Sequence, residues 1–154
     1  MADRIAALIA TWFGSGLLPK APGTWGSLAA LPPGLALLWL GGVPLLVGGI
    51  LAVSLVGVWA GERYADRLGQ DDPGAVVIDE VAGQWLALLP CAAFGLVEVV
   101  LAFLLFRAAD ILKPWPASWA DRTLPGGVGI MADDWIAGLY AALALGLLQT
   151  GGLV

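Results

Sequence analysis

Residues 26 to 61 carry no charged side chain, and nearly all of them are apolar. A helix needs about 20 apolar residues to cross the ~30 Å hydrocarbon core of a bilayer. In lipid, its backbone polar groups must be satisfied within the segment itself. This run is interrupted at Gly41-Gly42-Val43-Pro44. It therefore reads as two apolar helices, Gly26 to Leu40 and Leu45 to Gly61, joined by a break. The rest of the chain agrees, with 60% hydrophobic residues, 12% charged residues and a mean hydropathy of +0.89. Soluble domains carry roughly 25% charged residues, so this composition cannot cover a water-facing surface. The expected fold is all-α: a polytopic membrane helical bundle of about five helices, one domain over residues 1 to 154, with a polar site at one face.

The remaining segments follow from local signals. Ile5 to Phe13 is a short apolar run with Asp3 beside Arg4 and no small-residue cleavage site, so it reads as an interfacial or re-entrant helix and not a signal peptide. Asp72-Pro73 supplies an N-cap and a first-turn proline for a third helix reaching about Leu89, before Pro90. A fourth helix runs from about Leu96 to Leu112 and stops at Lys113-Pro114. The last starts near Ala132 and has no charge from Trp135 to Val154. The far-side connections are then Gly41–Pro44 and Pro90–Gly95. Of the seven basic and twelve acidic residues, only Glu98 lies near them. All seven bases fall at the opposite end, which the Lys/Arg bias assigns to the cytosol. A net charge of −5 argues against a nucleic-acid partner. The lone cysteine, Cys91, reads as an apolar filler.

Two acidic pairs stand out. Asp79 and Glu80 lie about two turns into the expected third helix, between Ile78 and Val81. Capping does not explain them there, and an ionised group in an apolar helix is costly unless paired or liganded. Asp133 and Asp134 lie at the expected start of the last helix, where capping competes with a functional role. Gly83 and Gly138 share a face with these acids and allow close helix approach. Two helices would then bring four carboxylates to one depth. Arg107, Asp110 and Lys113 are three apart on one helix face. They read either as an intrahelical ladder or as a polar face toward the acids. Oxygen ligands without histidine suit a hard divalent ion, magnesium or calcium.

The chain contains no histidine, which excludes Ser-His-Asp triads and phosphohistidine chemistry. Val97 stands where a Cys-x5-Arg loop starting at Cys91 would need arginine. No Gly-x4-Gly-Lys-Ser/Thr loop occurs, so Gly23-Thr24-Trp25-Gly26-Ser27 is not a nucleotide P-loop. This GTWGS stretch reads as a turn or as an anion cradle, with Thr24 and Ser27 hydroxyls, a following helix N-terminus and Lys20 nearby. What remains is metal-assisted chemistry at phosphorus.

Three stretches, GSGLLPKAPGTWGSLAALP (14 to 32), VVIDEVAGQW (76 to 85) and FRAADILKPWPASWADRTLPGGVGIMADDWIAG (106 to 138), resemble the phosphatidylglycerophosphatase A family. The resemblance implies a multi-pass, magnesium-dependent lipid phosphatase of the bacterial inner membrane. It would release the terminal phosphate of phosphatidylglycerophosphate at the cytosolic face. In that frame Asp79, Glu80, Asp133 and Asp134 would be metal ligands, one of them a candidate general base. Asp110 would be a further ligand or would support the ligands from behind. Thr24, Ser27, Arg107, Lys113 and Arg122 would meet the phosphates. Gly126-Gly127-Val128-Gly129 would form a flexible rim, and Trp115, Trp119 and Trp135 an interfacial belt. The expected partners are an anionic phospholipid and the membrane, with no protein partner. Two rivals are weighed against this. A CDP-alcohol phosphotransferase lacks its Asp-Gly-x2-Ala-Arg signature here. A small ion-coupled transporter or magnesium channel would need acids along a pathway.

Overall fold

The computed structural model describes residues 1–91 and 95–154. It is all-helical among those residues: α1 (Ala2–Ala10), a 3-10 turn (Ser15–Leu17), α2 (Pro22–Leu68), α3 (Ile78–Ala87), α4 (Leu96–Leu112), α5 (Ala117–Thr123) and α6 (Gly126–Thr150). Part of the expected Pro90–Gly95 connection, residues 92–94, lies outside the described residues.

The long α2 is two antiparallel arms. Gly41 (φ −149°, ψ 15°) and Gly42 (φ 63°, ψ −158°) leave the helical region between them, and the second conformation is one that only glycine adopts cheaply. The arms fold back on each other: a Cβ placed on Gly49 would lie 2.6 Å from Leu37 Cδ1. Between residues 26 and 61 the arms carry no charge and need no polar partner beyond the helical backbone. Large apolar side chains face outward from α2, α4 and α6, among them Trp39, Leu55, Leu104, Leu143 and Leu147. Helices α2 and α6 are long and apolar enough to cross a membrane. The architecture is a membrane helical bundle.

At its centre lies α3, wrapped by α2, α4 and α6. Ten residues rise about 15 Å, half the ~30 Å hydrocarbon thickness. Almost all of its side chains are buried, including Val81, Ala82, Gln84, Trp85 and Ala87. Glycine sets the packing distance. A Cβ on Gly138 of α6 would meet the Gly83 carbonyl oxygen at 2.4 Å, and one on Gly83 would meet the Asp134 carbonyl oxygen at 2.6 Å. The two backbones therefore touch directly below the acidic residues. Trp85 donates its indole N–H to the Ala30 carbonyl at 2.8 Å, fixing α3 to the first arm of α2.

Two helix starts differ from the sequence expectation. Helix α3 begins at Ile78, not after Asp72-Pro73. The Val76 N–H bonds to the Pro73 carbonyl, and the Val77 N–H bonds to Ala10 at the end of α1, so this segment is held as a turn against α1. Asp79 and Glu80 consequently occupy the first turn of α3. Conversely, α6 begins at Gly126 after Pro125, so Asp133 and Asp134 lie two turns inside it and are not capping residues. The expected flexible rim at Gly126–Gly129 is helical instead. A Cβ on Gly127 would strike the Val58 carbonyl oxygen at 1.9 Å, and one on Gly129 the Leu124 carbonyl oxygen at 2.0 Å. Close packing, not mobility, calls for glycine there.

Candidate active site

Six polar segments meet at one end of the bundle around a cavity of about 720 Å³, within the range of small-ligand sites. They are the N-terminus of α2, the 71–76 turn, the first turn of α3, the end of α4, α5, and the start of α6. Asp79, Glu80, Asp110, Asp133 and Asp134 all line it, together with Arg107, Lys113 and Arg122. Asp71, Asp72 and Asp121 line its rim. None of the three was expected at the site: Asp72 reads in the sequence as a helix N-cap, and a single aspartate in a turn (Asp71) or on a short helix (Asp121) carries no distinguishing local signal.

The carboxylates form two overlapping triads. Oxygen atoms of Asp79, Glu80 and Asp134 lie within 4.8 Å of one another, as do those of Asp110, Asp133 and Asp134. Asp79, Asp133 and Asp134 are buried. Glu80 Oε2 and Asp134 Oδ1 have no hydrogen-bond partner among the described residues. Like charges this close repel strongly and each costs desolvation energy. The donor set, all oxygen and with two buried atoms unpartnered, suits a hard divalent cation.

Three cations face the acids. Arg107 pairs with Asp110 one turn on, stands 3.9 Å from Glu80 and donates to Ser27 Oγ at 3.3 Å. For Lys113 the structure follows the polar-face reading and not the intrahelical ladder. This residue caps α4 in a left-handed conformation (φ 44°) and turns its ammonium to Asp121 and to Asp133, the latter at 2.7 Å. Burial pulls the Lys113 pKa down, but bonds to these two carboxylates outweigh it and hold it above the ordinary value. At the rim, burial raises the Asp72 carboxyl above its ordinary range; Lys113 opposes this and Asp121 adds to it. Arg122 is exposed, with Nε bonded to the Ser118 carbonyl.

The GTWGS stretch is not a loop. Pro22 occupies the first turn of α2, preceded by Lys20 and Ala21 in left-handed conformations, and the stretch is helical from there. Gly23 lines the cavity, but Thr24 and Ser27 do not. Ser27 is fully buried and donates to the Gly23 carbonyl at 2.8 Å while receiving Arg107. Its place is beneath the arginine and not in contact with the cavity. The two glycines serve packing: a Cβ on Gly23 would meet Glu80 Oε1 at 2.1 Å, and one on Gly26 would meet Val77 Cβ at 2.6 Å. Gln84, also overlooked in the sequence, sits one turn beneath Glu80, fully buried with both amide atoms unpartnered. Trp115 and Trp119 are exposed, as an interfacial belt requires. Trp135 is not in such a belt: its indole N–H bonds to Ser54 Oγ at 3.0 Å inside the bundle.

A family model described as phosphatidylglycerophosphatase A matches residues 8–149. A protein of Haemophilus influenzae named phosphatidylglycerophosphatase A is 39% identical over 142 residues, covering 92% of this chain and 87% of the relative. One of the same name from Escherichia coli is 39% identical over 135 residues, covering 88% and 78%. A Bacteroides thetaiotaomicron protein provisionally named phosphatidylinositol-3-phosphatase is 37% identical over 152 residues, covering 92% and 91%. No solved structure matches the chain.

Proposed function

The chain belongs to the phosphatidylglycerophosphatase A family, and we propose that it is a magnesium-dependent lipid phosphatase of the bacterial cytoplasmic membrane. Its reaction is hydrolysis of phosphatidylglycerophosphate to phosphatidylglycerol and phosphate. The observation that carries this reading is the convergence of eight carboxylates, five of them clustered, and three cations on one cavity at one end of an apolar bundle. The acyl chains of a lipid stay beside the outward-facing leucines and tryptophans while its headgroup enters the cavity. The Lys/Arg bias supports a cytosolic location for that end.

Asp79, Glu80, Asp110, Asp133 and Asp134 would hold the magnesium. When bound, the ion offsets carboxylate repulsion, polarises a phosphoryl oxygen and lowers the pKa of water. Arg107 and Arg122 orient the phosphoryl oxygens through charge-assisted hydrogen bonds. Water attacks phosphorus as the ester bond to glycerol breaks. A carboxylate of the cluster accepts the water proton, and the leaving glycerol oxygen regains one from the open cavity. Before substrate arrives Lys113 holds Asp133, and Ser27 steadies Arg107 from below. The transport reading needs acids along the length of the bundle. Among the described residues the far end offers Glu98, in the first turn of α4, where acids favour the helix dipole.

The test is phosphate release in detergent from phosphatidylglycerophosphate, phosphatidylinositol-3-phosphate and phosphatidate, with magnesium and with chelator. Wild type should prefer phosphatidylglycerophosphate and fall silent in chelator. Asp79→Asn should lose at least about 10²-fold in kcat. Full turnover in excess chelator would sink the magnesium reading. Preference for the inositol lipid would reassign the substrate.

A further inference from the structure

We propose that the carboxylate cluster holds two divalent cations of unequal affinity, with Asp134 shared between them. This rests on the metal-dependent phosphatase reading. The two triads, Asp79–Glu80–Asp134 and Asp110–Asp133–Asp134, have one residue in common. Asp134 is 2% exposed, and its Oδ1 has no hydrogen-bond partner among the described residues. A buried carboxylate oxygen without a partner is costly. A cation on each side removes that cost, because a carboxylate can offer each oxygen to a different hard ion. Paired divalent ions recur in phosphoryl chemistry.

The triads differ in what competes for their oxygens. In the second, Asp110 is paired with Arg107 and Asp133 with Lys113. In the first, Asp79 Oδ1 accepts the Glu80 backbone N–H at 3.0 Å, Arg107 is 3.9 Å from Glu80, and Glu80 Oε2 is unpartnered. A cation entering the second triad must share its ligands with an arginine and a lysine. The first triad therefore fills first. A phosphate monoester arriving in the cavity draws Arg107 and Lys113 toward itself and frees Asp110 and Asp133. By linkage, an anion in the cavity tightens the second ion, and the second ion tightens the anion.

The experiment is Mn2+ binding to the full-length, detergent-solubilised protein, followed by calorimetry and electron paramagnetic resonance. Two ions per chain are expected, differing by about tenfold or more in affinity, with spin coupling only at full loading. Inorganic phosphate should tighten the weaker ion alone. Asp79→Asn should weaken the tighter ion, Asp110→Asn the weaker, and Asp134→Asn both. Lys113→Met should tighten the weaker ion by removing its competitor. If Asp134→Asn does not fold, Asp110→Asn and the spin coupling of wild type still decide. A single ion without coupling overturns the two-ion proposal and leaves the metal-dependent phosphatase standing. Two ions of equal affinity, or an Asp134→Asn that loses only one, overturn the unequal, shared arrangement. No Mn2+ bound, with hydrolysis persisting in chelator, overturns both.

Discussion

Lys113 Nζ lies 2.7 Å from Asp133 Oδ2 and also binds Asp121, so one ammonium ties the end of α4 to both α5 and α6. Folding raises its pKa despite burial, through the two carboxylates. A base whose pKa rises on folding contributes its full stabilisation below its unfolded pKa of ~10.4. That contribution disappears as pH climbs through the higher folded pKa. The side chain is 32% exposed, so solvent screening limits the loss in Lys113→Met to about 1 kcal/mol. Thermal unfolding in metal-free detergent should show this difference unchanged between about pH 6 and 9 and shrinking at higher pH. A difference that persists undiminished under strongly alkaline conditions would refute the pairing.

Gly138→Ala should damage both stability and catalysis. Its Cβ would meet the Gly83 carbonyl oxygen at 2.4 Å and Leu86 Cβ at 2.8 Å, and neither can rotate away. Separating α3 from α6 costs about 1–3 kcal/mol and moves Asp79 and Glu80 away from Asp134. Gly146→Ala, on the same helix with nothing within 4 Å among the described residues, should be neutral or slightly stabilising. Equal melting temperatures for the two variants would contradict the packing argument.

Gly23→Ala should separate activity from stability. The new methyl would lie 2.1 Å from Glu80 Oε1, the free end of a flexible side chain, and 3.2 Å from Arg107. Glu80 can swing aside, so the fold should survive with its melting point little changed. The displaced carboxylate should lower kcat and divalent-ion affinity together. Unchanged metal affinity would show that Glu80 is not a ligand.

Arg122 and Arg107 should fail differently. Arg122 is exposed at the rim, so Arg122→Ala should raise KM about tenfold and spare kcat, as loss of one charge-assisted contact does. Arg107→Ala leaves Glu80 and Asp110 without their cation. It should lower kcat and destabilise the protein by roughly 3–5 kcal/mol, as breaking a buried pair does. Steady-state kinetics and unfolding on both variants check this; a pure KM effect for Arg107→Ala would place it at the rim.

Local reading of the chain went astray at two helix starts, for a common reason. Asp72-Pro73 has the chemistry of a helix N-terminus, but the bonds of Val76 to Pro73 and Val77 to Ala10 hold the chain as a turn until Ile78. Gly126–Gly129 has the composition of a loop, but close backbone contacts with Val58 and Leu124 make glycine the residue that fits a helix there. The two acidic pairs thereby exchanged positions: Asp79 and Glu80 lie in a first turn, while Asp133 and Asp134 lie in a helix interior.

The sequence by itself determined the all-helical membrane bundle, the break at Gly41-Gly42, the limits of α4 at Leu96 and Leu112, and the gathering of charge at one end. These depend on hydropathy and backbone preference, which sum along the chain. Only the tertiary structure decided that Asp134 belongs to two carboxylate triads, that Lys113 turns from Asp110 to Asp133, and that Ser27 lies beneath Arg107. Those relations join residues on different helices. Their energy depends on distance and burial in three dimensions, which no local stretch of sequence encodes.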